Sequence, residues 1–296
     1  MSVILRTMIG VGAVVGLLVA PPPTALAQAP DSTVQAPGAT APEGEAAARA
    51  TTNVVRDTLD HGRFDRLLAA FVDAEGDVDY ARLRARADTV LAPYLWQLAT
   101  TDPAGLDRDA RLAFWINAYN AYTLKLIVDH YPVQNIWAVT PGPPEPKDNS
   151  PFALEVGRVA DTLRTLDEIE HEIIRQRFDE PRIHFALVCA AASCPRLRRE
   201  AYTGPRLDAQ LDDQTRTFLH DDRKNRIPAG PDRIAISRIL KWYGGDFGNE
   251  AALQRFMAPY FEGKVRDRLA AAAYEVTYRP YDWALNDQRS VPVGER

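Results

Sequence analysis

The chain has 296 residues, a formal net charge of −5 and a hydrophobic fraction of 46%, ordinary for a globular protein. Acidic and basic side chains are mixed throughout, with no basic stripe, which excludes a nucleic-acid footprint and a basic amphipathic helix for a membrane surface.

Arg6 supplies a positive n-region, residues 8–20 a short apolar core, and Ala25-Leu26-Ala27 a small-residue cleavage pattern. Residues 1–27 therefore read as a secretory signal peptide, and a periplasmic or secreted location is expected. The apolar run is short of the ~20 residues that span a bilayer, so no membrane insertion is expected after cleavage; an uncleaved anchor is the alternative. No cysteine follows the cleavage pattern, which argues against a lipoprotein anchor. From residue 28 to about residue 50 the chain is mostly Ala, Pro, Gly, Thr and Glu without a large apolar residue, and residues 28–53 are expected to be a disordered linker.

Residues 54–296 are expected to form one domain. Helical spacing over 64–72 aligns Phe64, Leu67, Leu68 and Phe71 on one face. A turn and short extended piece follow at 75–80, then a helical stretch over 81–100 interrupted before Pro93. Residues 106–131 are apolar nearly all round, which predicts a buried central helix, ended by Pro132. A loop is expected over 140–147 and a hairpin over 152–160, turning near Gly157. Thr165-Leu166-Asp167-Glu168 is a capping box opening a helix to residue 177. Residues 183–189 read as a buried strand, 205–220 as an amphipathic helix, and 233–236 as a strand. Residues 239–243 and 250–273 read as helical, and 274–278 as a last strand. The expected class is α+β, a helix-rich single domain with a small, mostly antiparallel sheet around a buried central helix.

Chemistry-bearing residues concentrate around 182–197, which holds both cysteines and His184. In a regular strand His184 and Cys189 face opposite sides. If Pro195 opened a helix, Cys194 would sit at its N-cap, where amide dipoles lower a thiol pKa. Cys194 is then the candidate nucleophile, with Cys189 the other sulfur and His184 the candidate base. In an exported chain, two nearby cysteines also commonly oxidise to a disulfide, so a structural Cys189–Cys194 bridge stands as an equal alternative. Asp282 is the candidate for orienting the imidazole. Asn117 and Asn120, on an apolar helix face, either pin neighbouring backbone or stabilise an oxyanion. Glu168 and His171 have Glu-x-x-His spacing, but no further ligands match. No metal or other cofactor is expected, and Glu168, His171 and Arg175 are expected to form a local polar network.

The segments Ala113–Leu124, Ile169-Glu170-His171, Arg182–Cys189, Ser193–Leu197, Trp242-Tyr243, Asp246-Phe247 and Tyr281–Asn286 together resemble the family called domain of unknown function 547. That family occurs in bacterial exported proteins and in plant proteins with a leucine-zipper segment. The resemblance implies a shared fold and brings no established activity. The order of helix, histidine and late acid is also similar to transglutaminase-like and papain-like cysteine enzymes. It departs from them in offering Asn117 where the helix of such an enzyme carries its cysteine. On these grounds the expected function is a cysteine/histidine-dependent hydrolase or acyl transferase on a peptide-like bond in the cell envelope. The alternative is a non-catalytic binding or scaffolding domain with a structural cysteine pair.

Overall fold

A computed structural model describes residues 59–140 and 150–290. The expected signal peptide, the 28–53 linker and most of the 140–147 loop lie outside the described residues. The described residues fall within one compact unit, Asn53–Arg296.

Four short helices open the fold: α1 (Gly62–Phe71), α2 (Tyr80–Arg84), α3 (Ala87–Val90) and α4 (Ala92–Thr100). In α1, Phe64, Leu67, Leu68 and Phe71 are all buried, as their spacing predicts. Asp79 caps α2 by accepting from the Arg82 N–H at 3.1 Å. The long helix α5 (Arg108–His130) has 23 residues, about 35 Å at ~1.5 Å per residue. Asp107 caps it, accepting from the Ala110 N–H at 2.8 Å. Its sides are buried nearly all round, so it is the axis of the main core. It stops where Tyr131 precedes Pro132 and takes an extended conformation.

The hairpin β1 (Glu155–Val159) and β2 (Thr162–Thr165) is antiparallel, pairing Val159 with Thr162. It turns at Ala160-Asp161, both with positive φ, and not near Gly157. Two consecutive positive φ values match the twist of a two-residue hairpin loop. Gly157 answers a different demand: a Cβ there would sit 2.5 Å from the Tyr122 ring.

The capping box forms as expected. The Thr165 N–H donates to Glu168 Oε2 at 2.9 Å, and the Glu168 N–H to Thr165 Oγ1 at 3.0 Å. The helix it opens is wound as a π-helix over Glu168–Ile174 before the short α6 (Arg175–Arg177). Such wide turns recur at functional sites.

The expected strand over 183–189 is not one. Pro181–Phe185 is a 3₁₀ turn, capped by Glu180 accepting from the Arg182 N–H. The backbone beyond it is satisfied by the Asn120 side chain instead of a ladder. A short buried apolar run has the same pattern in either conformation. No helix starts at Pro195 either, so Cys194 has no helix dipole behind it.

Helix α7 (Leu207–Leu219) leads to β3 (Arg233–Ile236), α8 (Ile239–Trp242), α9 (Glu250–Met257), α10 (Gly263–Ala270) and β4 (Glu275–Tyr278). The helix expected over 250–273 is divided at a 3₁₀ turn containing Pro259, which lacks the N–H needed to continue. Strands β3 and β4 are parallel, Arg233 facing Glu275 and Ile236 facing Tyr278. The class is thus α+β and helix-rich around a buried helix, with its strands in two separate ladders, one antiparallel and one parallel. Phe185, Phe218, β3, α9 and Tyr274 build a second, smaller core, and Tyr281 packs against both cores. Among the described residues no helix is long and apolar enough to cross a membrane.

Candidate functional site

Where the two cores meet, a cavity of about 480 Å³ opens. One wall is aromatic. Trp283 packs 4.6 Å from Tyr281, 5.2 Å from Trp137 and 5.9 Å from Trp242, between ring centres. Phe152 continues this wall behind Trp137. Trp242 keeps 48% of its surface exposed, so it forms a rim. The polar lining is Asp167, which precedes the π-helix, Glu170 and His171 within it, and His184 and Tyr243. A largely apolar, aromatic pocket with a few convergent polar groups is the default ligand site of a fold.

His184 is placed by the capped 3₁₀ turn and lies flat on Tyr243, ring centres 4.0 Å apart. Its Nε2 is 2.8 Å from Asp246 Oδ2. Arg175 grips the same carboxylate with two hydrogen bonds of 2.7 Å and extends Nη1 to 3.1 Å from His171 Nδ1. The Arg175 hydrogen bonds hold the Asp246 carboxyl down at about 2, against a smaller opposing effect of burial. Burial lowers His184 to about 4 and outweighs the attraction of Asp246. At neutral pH the ring is therefore uncharged. Because the ionised carboxylate only accepts, Nε2 carries the proton and Nδ1 is left as the basic nitrogen.

Glu170 is the second buried group of this polar lining. Burial pushes its carboxyl up, although Tyr243 and Tyr119 hydrogen-bond to it and His171 and Arg175 lie near. Of the expected network of Glu168, His171 and Arg175, the contact between His171 and Arg175 forms, and the carboxylate that Arg175 pairs with is Asp246. Glu168 is occupied by the capping box, and Glu170 faces the cavity. Among the described residues, no three His, Cys, Asp or Glu side chains are placed to hold a metal ion.

Both sulfurs line the same cavity, joined as a Cys189–Cys194 disulfide with Cα atoms 6.2 Å apart, within the ordinary range. Neither is a thiol in this state, so neither acts as a resting nucleophile. The Cys189 N–H donates to Cys194 Sγ at 3.0 Å, and the Tyr281 hydroxyl lies 3.2 Å from each sulfur. Cys194 is buried, at 1% exposure, whereas Cys189 is partly exposed.

The remaining expected site residues lie elsewhere. Asp282 does not orient His184. Its carboxylate accepts from the Ala284 N–H at 2.9 Å, and its backbone N–H donates to Ser193 Oγ at 2.9 Å. It borders a neighbouring cavity. The imidazole instead meets Asp246, from the segment 242–247, whose aspartate among aromatic residues was the available sign. Asn117 and Asn120 do not line the cavity. Asn117 exchanges two hydrogen bonds with the Tyr202 backbone, at 2.8 and 3.0 Å. Asn120 does the same with Ala186 O and the Val188 N–H, both at 3.0 Å. Each amide thereby clamps a loop, and Asn120 clamps the one bearing His184 and Cys189. The papain-like order is consequently not realised as a Cys–His–Asp282 constellation.

Residues 103–219 match the model of a family described as protein of unknown function, DUF547. No curated protein and no solved structure matches the chain. The matched stretch includes α5, the π-helix, His184 and both cysteines. Asp246 and much of the aromatic wall (Trp242, Tyr281, Trp283) lie beyond it.

Proposed function

We propose that this chain, which belongs to the DUF547 family through residues 103–219, is an exported recognition domain for peptide-like ligands. The observation that carries this reading is one cavity lined both by aromatic rings and by polar groups, most of whose charges are already answered. Arg175 and Asp246 pair with each other, His184 is neutral, and burial favours the uncharged form of Glu170. Such a site has little to attract an ionic ligand and much to attract an uncharged one with an apolar group and a few amides. The apolar group packs against Trp137, Trp283 and Tyr281, and the amides face Asp167 and His171. Export is supported by the leader-like residues 1–27 and by the bridge, since disulfides persist in oxidising compartments.

The test is a titration of intrinsic tryptophan fluorescence with doubly capped tripeptides having Leu or Phe at the centre. Saturable binding is expected, weakened at least tenfold by Trp283→Ala in a protein of unchanged far-UV circular dichroism. Absence of saturable binding by any capped apolar tripeptide overturns the reading.

A second reading is favoured by one observation: His184 and both sulfurs line the same cavity. In reduced protein, a cysteine–histidine hydrolase or acyl transferase acting on peptide-like bonds is its natural form. It requires acyl-ester turnover that appears with reductant and disappears on alkylation of the thiols.

A further inference from the structure

We infer that the Cys189–Cys194 bridge is an exchange site for a peptide cysteine, with Cys189 the sulfur attacked and Cys194 the leaving group. The peptide as substrate class rests on the recognition reading above; the choice of sulfur rests on the bridge's own surroundings. A disulfide that only staples the fold is best sealed from solvent, yet this one lines a ligand-sized cavity. Its two sulfurs are unequal. Cys189 is partly exposed and Cys194 is buried. The buried sulfur also has a donor that its partner lacks, the Cys189 N–H at 3.0 Å, while the Tyr281 hydroxyl lies 3.2 Å from both sulfurs. Burial holds the Tyr281 hydroxyl protonated, so it donates. Both donors reach Cys194, where negative charge appears when the S–S bond breaks toward it, and a stabilised leaving thiolate departs faster. Tyr281 would serve either sulfur, so the Cys189 N–H and the burial of Cys194 set the direction.

The backbone keeps the pair in place through the reaction. Asn120 pins Val188, the neighbour of Cys189, and the Cys194 N–H bonds to Ala191 O at 2.9 Å. The step is a displacement. A peptide thiolate attacks Cys189 Sγ, a new S–S bond forms to the peptide, and the electron pair of the old bond leaves on Cys194 Sγ. A second cysteine on the peptide, as thiolate, then attacks the peptide sulfur of the mixed disulfide and releases Cys189. The peptide dithiol is oxidised by two electrons, the bridge is reduced by two, and the two protons lost by the peptide thiols balance the two thiolates formed.

The oxidised full-length protein is mixed anaerobically with a doubly capped tripeptide carrying one central cysteine. The reaction is quenched with acid, and free thiols are alkylated and mapped by mass spectrometry. The expected product has the peptide on Cys189 and the alkyl group on Cys194. It forms faster than on the same protein unfolded in urea, and Tyr281→Phe slows it about tenfold. An adduct on Cys194, or no adduct by the time the unfolded protein has exchanged, overturns the inference. The wild-type map decides this even if the Tyr281 variant does not fold. The serine counterpart of the peptide separates the two claims. If it binds and the cysteine peptide leaves no adduct on Cys189, recognition stands and exchange fails. If it does not bind and the cysteine peptide is found on Cys189, exchange stands and peptide recognition fails.

Discussion

Cys194 borders two cavities, and the two differ in how many fixed charges pair beside them. On the aromatic side, His184 and Glu170 are pushed by burial toward their neutral forms. On the other side, a smaller cavity of about 230 Å³ is lined by Asp77, Arg196, Arg223, Lys224 and Asp282. There burial also pushes Asp77 and Lys224 toward their neutral forms, but opposite charges stand close enough to pair. Asp221, just behind that wall, lies 3.2 Å from Lys224 and 3.0 Å from Arg223. Burial by itself would raise its carboxyl, but the hydrogen bond from Arg223 and the charge of Lys224 outweigh this and hold it at about 2. A cavity whose buried His184 and Glu170 favour their neutral forms is open to a neutral ligand, whereas ions already paired have little left to offer one. This difference is why the aromatic side, and not the charged side, carries the functional reading.

The largest effect should come from breaking the paired side. Asp221→Asn leaves Lys224, itself buried, without its carboxylate, and a buried charge that loses its partner costs about 3–5 kcal/mol. Urea unfolding at pH 7 measures it; a loss below about 1 kcal/mol would mean the pair is not buried in solution.

The neutral side should show itself in pH dependence. The folded His184 ring takes up a proton only near pH 4, against 6.5 when unfolded. In that window the unfolded chain binds more protons, so stability is greatest above 6.5 and falls as pH drops toward 4, by about 3 kcal/mol for this ring. His61, lowered by burial to about 4 as well, contributes with the same sign. Glu170 works oppositely, since a raised carboxyl favours the fold at low pH and loses that contribution as pH rises. His184→Gln should therefore remove roughly half of the histidine-linked loss between pH 6.5 and 4, read from unfolding midpoints; an unchanged slope would place the ring in water.

Asn120→Ala strips partners from Ala186 O and the Val188 N–H, for about 2 kcal/mol. It should also speed hydrogen exchange at Val188 more than at Tyr202, which Asn117 holds. The smallest effect on stability belongs to Trp242→Ala. Half-exposed at the rim, it should change unfolding free energy by no more than about 0.5 kcal/mol while weakening peptide binding severalfold. A large stability loss would make Trp242 core and not rim.

Much of the frame was legible because it depends on local pattern. The burial of α5 follows from apolar residues on every face, and the capping box from a threonine three residues before a glutamate. The α1 stripe follows from its 3.6-residue spacing. The site was only partly legible. The loop bearing His184 and Cys189 has the composition of a strand, and its departure from one depends on Asn120, which lies 66 residues before Ala186. Asp282 and Asp246 look alike in sequence, each set among aromatics. Only the approach of the 242–247 segment to His184, 62 residues apart, distinguishes them. The π-winding that turns Glu170 instead of Glu168 toward the cavity has no simple periodic signature.

Taken alone, the order of residues specified which segments are helical, which helix lies at the centre, and that two sulfurs, an imidazole and the aromatic segments belong to the chain's chemistry. Those properties arise from neighbours along the backbone. Which acid meets His184, which sulfur is shielded and which groups lose their charge were decided by packing, because desolvation and hydrogen bonding depend on distance through space and not on position in the chain.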